Sequence, residues 1–318
     1  MATTMTETMR AVQIHTFGGP DVLQFEETPR PEPGPHQVLV RVHAAGVNPV
    51  DWKIREGKLG QIPLPSIMGS DFSGEIEALG PDVTEYRVGE MVFGSVADES
   101  GSYAQYALAP VAHIVEKPKE IDHVHAAAIP VPAMTAWQAL FDEAKLTVGQ
   151  KVLIHAASGG VGGFAVQFAN WKGAHVIGTA SGSNADLVRS LGVDEFIDYR
   201  TTRFEEVVKD ADVVFDTIGG DTQERSWKVL KKGGVLVSIV QPPSEQKAKA
   251  HHVRGIFMVE DAKRNEELSQ IAKLVASGQI KVTVENVFPL YDARKAQELS
   301  QSGHARGKIV LSIADGPA

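Results

Sequence analysis

The sequence predicts an α/β protein in two parts, a small β-barrel or sandwich followed by a doubly wound parallel sheet. Three observations carry that reading. The first third of the chain sets short β-like runs between proline and glycine clusters, helical segments alternate with wholly apolar runs from about residue 124, and one apolar run opens onto a glycine-rich turn. The chain has 318 residues, room for two domains, at about 150 residues for each. Its 43% apolar and 22% charged residues are the composition of a globular protein with a large core.

Residues 10–15 (RAVQIH), 37–43 (QVLVRVH), 74–78 (GEIEA) and 90–96 (EMVFGSV) are β-branched or alternating, and turn clusters such as LGPDV and RVGE separate them. Thr28 to Pro35 reads TPRPEPGP, too rich in proline for a helix or a central strand, so a surface connection is expected. Short strands at this spacing suit a small barrel or sandwich. Farther on, residues 151–155, 174–179, 194–197, 211–216 and 234–240 are apolar at successive positions, as strands covered on both faces must be. Candidate helices at 161–172, 183–191, 203–209 and 221–231 lie between them, which is the grammar of a doubly wound sheet. A helix near 264–278, the run KVTVENVFPL, a helix at 291–302 and the strand KIVLSI close the chain. Their β pieces resemble the first third, so the tail is expected to return to the N-terminal domain.

Composition removes several functions. A net charge of −9 and a pI of about 5.7 leave no basic footprint for nucleic acid, and no apolar run is long enough for a membrane span. MATTMTETMR lacks the apolar region of a secretory signal and reads as a short disordered extension. The cysteine count is zero, which excludes disulfides, thiolate zinc sites, iron–sulfur clusters and a cysteine nucleophile together. Eleven histidines show no HxxxH pair, and His251 and His252 read as a solvated basic stretch.

The most informative segment is KVLIHAASGGVGGFAVQFANWKGAHVIGT, residues 151–179. An apolar strand runs into Ala156-Ala157-Ser158-Gly159-Gly160-Val161-Gly162, then a helix, then another apolar strand. Glycine there lets the backbone approach a pyrophosphate, whose charge meets the free amides of the helix N-terminus. Ala157 stands where the first glycine of GxGxxG would be, and tight strand–helix packing alone is the other reading. The second strand ends Thr179-Ala180-Ser181-Gly182-Ser183-Asn184, without the acidic residue that holds the ribose 2′-hydroxyl of NAD. Ser181 and Ser183 can donate to a 2′-phosphate, with Arg189, Tyr199, Arg200 or Arg203 near enough to add charge or stacking. NADPH is therefore the expected cofactor. The same hydroxyls could instead cap the next helix.

The motifs AAGVNPVDWKIREG (44–57), MGSDFSGEIEALG (68–80), GSYAQYAL (101–108), AAAIPVPAMTAWQAL (126–140), AASGGVG (156–162), DEFIDY (194–199) and GHARGKIVL (303–311) together resemble the medium-chain dehydrogenase/reductase superfamily. Within it they resemble the zinc-free quinone oxidoreductase and alkenal (enone) reductase branch. The resemblance implies a GroES-like domain from residues 1–128 and 272–318 and a Rossmann NADPH-binding domain over 129–271. It implies no metal, because Asn48 stands at the first cysteine of the zinc relatives and Gly69-Ser70-Asp71 at their Gly-His-Glu step.

As the resemblance has it, Asn48, Asp51 and Lys53 line the nicotinamide ribose and the substrate floor, while Tyr103 stands at the cleft wall as a donor to an enolate or packs in the barrel. Thr135 contacts the nicotinamide ribose, and Ser158, Gly159, Gly160 and Val161 hold the pyrophosphate. Ile218 lies by the adenosine ribose, Val240 near the nicotinamide, and Phe257 and Val259 by the carboxamide. Arg306 and Lys308 reach the cofactor phosphates or close the cleft, unless Lys308 is a solvated strand-edge lysine. The implied activity is hydride transfer to quinones or to the activated C=C of α,β-unsaturated carbonyls, in the cytoplasm. A zinc-free ketone or alcohol dehydrogenase, or an NADPH-binding sensor or structural protein, are the alternatives. GVLVSIV followed by QPPSEQ reads as an edge that could pair two copies into a homodimer.

Overall fold

The computed structural model describes residues 7–261 and 265–313. In chain order the first elements are β1 (Thr8–Ile14), β2 (Gln24–Pro29), β3 (Gln37–Val47), α1 (Pro49–Arg55), β4 (Ser66–Ile67), β5 (Asp71–Leu79), β6 (Met91–Ser95), β7 (Tyr106–Pro110), β8 (Ile114–Glu116), α2 (His123–Ala127) and α3 (Pro130–Trp137). A π-helical turn over Gln138–Glu143 continues α3. There follow β9 (Lys151–Ile154), α4 (Gly160–Trp171), β10 (His175–Ala180), α5 (Ala185–Ser190), β11 (Glu195–Asp198), α6 (Phe204–Val207), β12 (Ala211–Asp216), α7 (Gly220–Ser226), β13 (Leu230–Ser238), α8 (Glu245–Ala250) and β14 (Arg254–Phe257). The chain closes with α9 (Asn265–Ala276), β15 (Val284–Pro289), α10 (Ala293–Ser302) and β16 (Lys308–Ser312).

Two compact units result. The first holds the described residues of Met1–Val131, Ala262–Ala276 and Val282–Ala318. Its seven-stranded sheet runs β15-β16-β3-β5-β6-β8, with β7 also on β3. The long strand β3 changes partners along one side: Gln37–Arg41 pair with β7, and Ala44–Val47 pair with β16. The C-terminal strand thus completes the N-terminal sheet, as the tail's composition predicts. Val38, Val40, Phe72, Ile76, Ile114, Ile309 and Leu311 alternate inward from these strands and form one core, each at most 3% exposed.

Where the sequence expects only a proline-rich connection, Thr28 and Pro29 end β2, paired to Met9 and Thr8. A proline is tolerated there because β2 is an edge strand. Of the expected N-terminal extension, Thr8–Arg10 belong to β1, and residues 1–6 lie outside the described residues.

The second unit comprises Pro132–Asp261 and Ser277–Lys281. Its six strands are all parallel in the order β11-β10-β9-β12-β13-β14. The edge beyond β12 is β14, so GVLVSIV in β13 is one strand in from the edge that the sequence reading gave it. The helix expected over 221–231 stops at Ser226, because β13 begins at Leu230, and Gly233 takes φ +80° in its irregular start. Among the described residues no helix is long and apolar enough to cross a membrane.

His155 follows β9 inside this unit, 1% exposed, with its ring nitrogens 3.1 Å from Thr179 Oγ1 and 3.0 Å from Ser226 Oγ. Burial pushes its imidazole down to about 4. Folded chains therefore hold it neutral where unfolded chains are already protonated, and its contribution, present above the unfolded value of 6.5, is lost as pH falls toward 4. In urea denaturation the stability gap between wild type and His155→Gln should shrink by about 3 kcal/mol from pH 7 to pH 4. A gap independent of pH would show that burial does not hold the ring neutral.

Gly69 has φ +89°, and a Cβ there would lie 2.2 Å from the ring of Tyr103. Gly149 has φ +78° with nothing near its missing Cβ. Gly69→Ala should therefore cost about 3 kcal/mol or more by adding overlap to backbone strain, against about 1 kcal/mol for Gly149→Ala. Equal losses in thermal denaturation would contradict the packing.

Candidate active site

In the first unit, the candidate residues are gathered by the junction between β3 and α1. Pro49 at the first helical position carries no N–H, so the helix starts without an orphan donor there. Asn48 precedes it, and its backbone N–H donates to Asp51 Oδ2 at 2.8 Å, closing the first turn. Tyr103 Oη donates to the same Asp51 oxygen at 2.8 Å. The Asn48 side chain donates from Nδ2 to Asp71 Oδ2 at 2.8 Å, and Lys308 Nζ donates to Asn48 Oδ1 and to Val47 O, the latter at 2.9 Å. Asp71 Oδ1 accepts from Val131 N at 3.1 Å. None of Asn48, Asp51, Asp71, Tyr103 and Lys308 is more than 4% exposed.

This is a buried knot of one ammonium and two carboxylates around one amide. The amide has a single stable orientation, oxygen toward the cation and nitrogen toward the anion. Burial raises the Asp51 carboxyl to about 6 and the Asp71 carboxyl to about 7, against the pull of Lys308, and it lowers the Lys308 ammonium. Beneath the knot, the buried Arg55 guanidinium donates to Gly18 O at 3.1 Å, Gln297 Oε1 at 2.7 Å and Gln301 Oε1 at 3.0 Å, tying α1 to α10.

The second unit presents its candidate residues on loops at the carboxyl ends of parallel strands. After β9, Ala156 takes φ +51°, and a Cβ on Gly162 would lie 2.1 Å from Ala156 O. The start of α4 is therefore pressed onto the turn, and the amides of its first turn have no intrahelical partner. Asn184 Nδ2 donates to Ser158 Oγ at 3.1 Å, linking this turn to the loop after β10. In that loop, Ser181 and Ser183 hydroxyls lie 3.0 Å apart. After β12, the buried Asp216 takes Ile218 N at 3.0 Å and Gly219 N at 2.8 Å on one oxygen, and Gln223 Nε2 and Ser238 Oγ, each at 2.9 Å, on the other. Gln241 Oε1 accepts from Gly220 N at 3.1 Å, so the loops carrying Ile218 and Val240 are fixed to each other. Thr135 is buried on α3, and Phe257 and Val259 are 44% and 77% exposed at the end of β14.

Several expectations need correction. Tyr103, read as a cleft-wall donor, is wholly buried and its hydroxyl is committed to Asp51, which matches the barrel alternative. Asp51 closes the first turn of α1 and offers no exposed oxygen. Lys308 is not a solvated edge lysine: it is buried, and its ammonium donates to Val47 O and Asn48 Oδ1. Arg306 bridges Glu285 at 3.6 Å, and Lys53 lies with Nζ 5.7 Å from the Trp52 ring centroid. Arg189 bridges Asp186 at 3.9 Å. The loop after β10 is not free of carboxylate either: Asp198 on β11 pairs with Ala180, and its Oδ2 would lie 2.5 Å from a Cβ on Gly182. Sequence reasoning passed over Asp71, Arg55, Asp216 and Gln223. Asp216 had a signal, an acid that closes the apolar run Val213-Val214-Phe215 of β12. Asp71 appeared only as a missing zinc ligand.

Among the described residues, no group of three or more His, Cys, Asp or Glu is placed to hold a metal ion. Residues 34–119 match the alcohol dehydrogenase GroES-like domain family and residues 191–311 the family described as zinc-binding dehydrogenase. Human quinone oxidoreductase is 33% identical over 96% of this chain and 98% of its own. The structure of a quinone oxidoreductase from Coxiella burnetii superposes with a TM-score of 0.91 at 35% identity, covering 97% of this chain and 100% of that one. The Escherichia coli quinone oxidoreductase complexed with NADPH gives 0.89 at 28% identity, covering 96% and 100%. With likeness of that extent in both units, the chain belongs to the quinone oxidoreductase branch of the medium-chain dehydrogenase/reductase superfamily.

Proposed function

We propose that the protein is an NADPH-dependent reductase that delivers hydride to quinones or to the activated C=C of α,β-unsaturated carbonyls. The observation that carries this reading is the turn after β9, where Gly162 presses α4 onto Ala156 and leaves the first-turn amides for a pyrophosphate. The residues fit the cofactor. Ser158, Gly159, Gly160 and Val161 would hold its pyrophosphate, Ser181 and Ser183 its 2′-phosphate, and Tyr199, 57% exposed, its adenine. Ile218, Val240, Phe257 and Val259 would cover the ribose and nicotinamide, joined by Thr135. When bound, NADPH supplies the hydride.

The acceptor follows from what the chain's own residues can do. With no cysteine for a catalytic zinc, an unactivated ketone would need a protein acid at its oxygen as hydride arrives. The knot offers no exposed acid: Tyr103 donates to Asp51, Lys308 donates to Val47 and Asn48, and Asp51 and Asp71 are buried. Asn48 has a second Nδ2 hydrogen that the knot does not use, and we assign it to orienting the substrate carbonyl. A hydrogen bond of that kind suffices for a quinone or enone, where the added hydride pushes charge onto a conjugated oxygen.

Purified protein mixed with NADPH should reduce quinones and enones and leave simple ketones alone, and chelation should not lower the rate. Oxidation of NADPH with ketones only would refute the assignment.

Lys308→Met should cost about 3 kcal/mol in urea denaturation by stranding two buried carboxylates. Adding Asp71→Asn should recover at least about 1 kcal/mol of it. Because the folded Asp71 holds its proton to about 7, the stability it contributes is present below its unfolded value of 3.8 and is lost as pH rises through 7. Asp71→Asn should remove that part of the pH dependence. Additive losses in the double variant would dissolve the knot as a unit.

A further inference from the structure

A cavity of about 320 Å³ lies within the second unit, in the size range of small-ligand pockets. Gln167, Asn170 and Trp171 line it from the last turns of α4, Leu191 and Gly192 from the turn after α5, and Lys281 from the segment that follows α9. Because α4 leads from the carboxyl end of β9 back to the amino end of the parallel strand β10, these residues stand apart from the glycine turn. Gln167 is two helical turns beyond Gly160, about 10 Å along the axis.

The walls are fixed by the fold. The Gln167 side chain, 7% exposed, brackets the Lys281 peptide: Oε1 accepts from Lys281 N at 2.7 Å, and Nε2 donates to Lys281 O at 3.0 Å and to Gly163 O at 3.1 Å. Gly192 takes φ +99°, and a Cβ there would lie 2.2 Å from Asn170 Nδ2, so the turn after α5 closes onto the end of α4 as only a glycine allows. Trp171 is 41% exposed, yet its ring packs against Trp137 and Phe141, with centroids 5.9 Å and 6.2 Å away. An indole is thus held by the rings of its own unit and still lines the cavity.

We propose that this cavity is a binding site for a small planar aromatic carboxylate, separate from the cofactor turn. Trp171 offers ring surface against which an aromatic ring packs offset or edge-on. Lys281 carries the only charge among the described lining residues, and among the described residues its exposed ammonium has no carboxylate partner. Its backbone is fixed by Gln167, so the charge is presented at one rim of the cavity, where a carboxylate makes a charge-assisted hydrogen bond. The Asn170 amide is a further donor for that carboxylate. With no acid in the described lining, a cationic ligand would meet repulsion and no partner. A ligand lacking either the ring or the charge would use only half of what the walls present.

The test is calorimetric titration of the full chain with naphthoate, with naphthamide as its uncharged match and cyclohexanecarboxylate as its match without an aromatic ring. Naphthoate should bind at one saturable site, and each of the other two about tenfold more weakly. Lys281→Gln, a change at an exposed side chain, should weaken naphthoate about tenfold and leave naphthamide as it was. Trp171→Leu should weaken both aromatic ligands about fivefold. Lys172→Gln, which removes an ammonium 5.6 Å from the Phe141 ring centroid and outside the cavity lining, should change neither. Absence of naphthoate binding up to its solubility would overturn the proposal. So would affinity unmoved by both Lys281→Gln and Trp171→Leu, which would put the ligand elsewhere on the protein. Naphthamide binding as tightly as naphthoate would overturn the role of Lys281, and cyclohexanecarboxylate binding as tightly would overturn that of Trp171.

Discussion

The ammonium of Lys308 is the point on which the first unit turns. It sits at the start of the C-terminal strand, reaches Val47 O and Asn48 Oδ1 at the far end of the N-terminal strand β3, and is electrostatically held by Asp71 and Asp51. Three ionisable groups so enclosed are costly, since each loses several kcal/mol of hydration that their mutual attraction only partly returns. Well-packed apolar residues could close the same sheet at lower cost. What apolar residues could not do is choose one of two near-isosteric orientations for an amide, because a donor at the oxygen and an acceptor at the nitrogen are needed to tell them apart. The knot exchanges stability for a fixed Asn48.

The second unit buries a carboxylate by other means. Asp216 ends β12 among neutral donors, two backbone amides on one oxygen and a glutamine and a serine on the other. With four donors on two oxygens the charge is dispersed without a cation, and the donors come from the loop after β12, from α7 and from β13. Asp216 thereby joins the loop after β12 to α7 and β13. The two anchors differ as their tasks do: a neutral set of donors immobilises backbone, whereas a charged pair orients a side chain.

Legibility in the sequence followed burial and periodicity. β9, β10 and β12 are sandwiched on both faces and show as apolar runs, and the glycine turn shows because Gly162 has no substitute at 2.1 Å from a carbonyl. The strand β14, Arg-Gly-Ile-Phe, is largely exposed at the sheet edge, so it carries no apolar signal. β2 was hidden by its terminal proline, and its pairing to β1 depends on a partner that local composition does not reveal. The site residues divide the same way. Turn residues whose role is set by local backbone, Ser158 to Val161 and Ser181 to Ser183, stand at strand ends where the reading put them. The partners of Lys308 and the contact of Tyr103 with Asp51 come from residues some 50 to 260 positions away, and only the fold brings those together.

The charge count of the knot bears on the proposed acceptor. One ammonium against two carboxylates cannot be net positive at any pH where Asp51 and Asp71 both ionise. A substrate oxygen that gains negative charge beside Asn48 therefore meets an amide dipole and no net cation. An isolated alkoxide would be poorly supported there, since a lone neutral donor stabilises a localised anion far less than a metal or an ammonium does. A charge spread over an enolate or a hydroquinone ring asks less of its surroundings, because conjugation has already lowered its energy. With Asn48 in the proposed role, the reading favours acceptors that stabilise their own charge, and the arrangement of Lys308, Asp71 and Asn48 supports it as much as the want of cysteine.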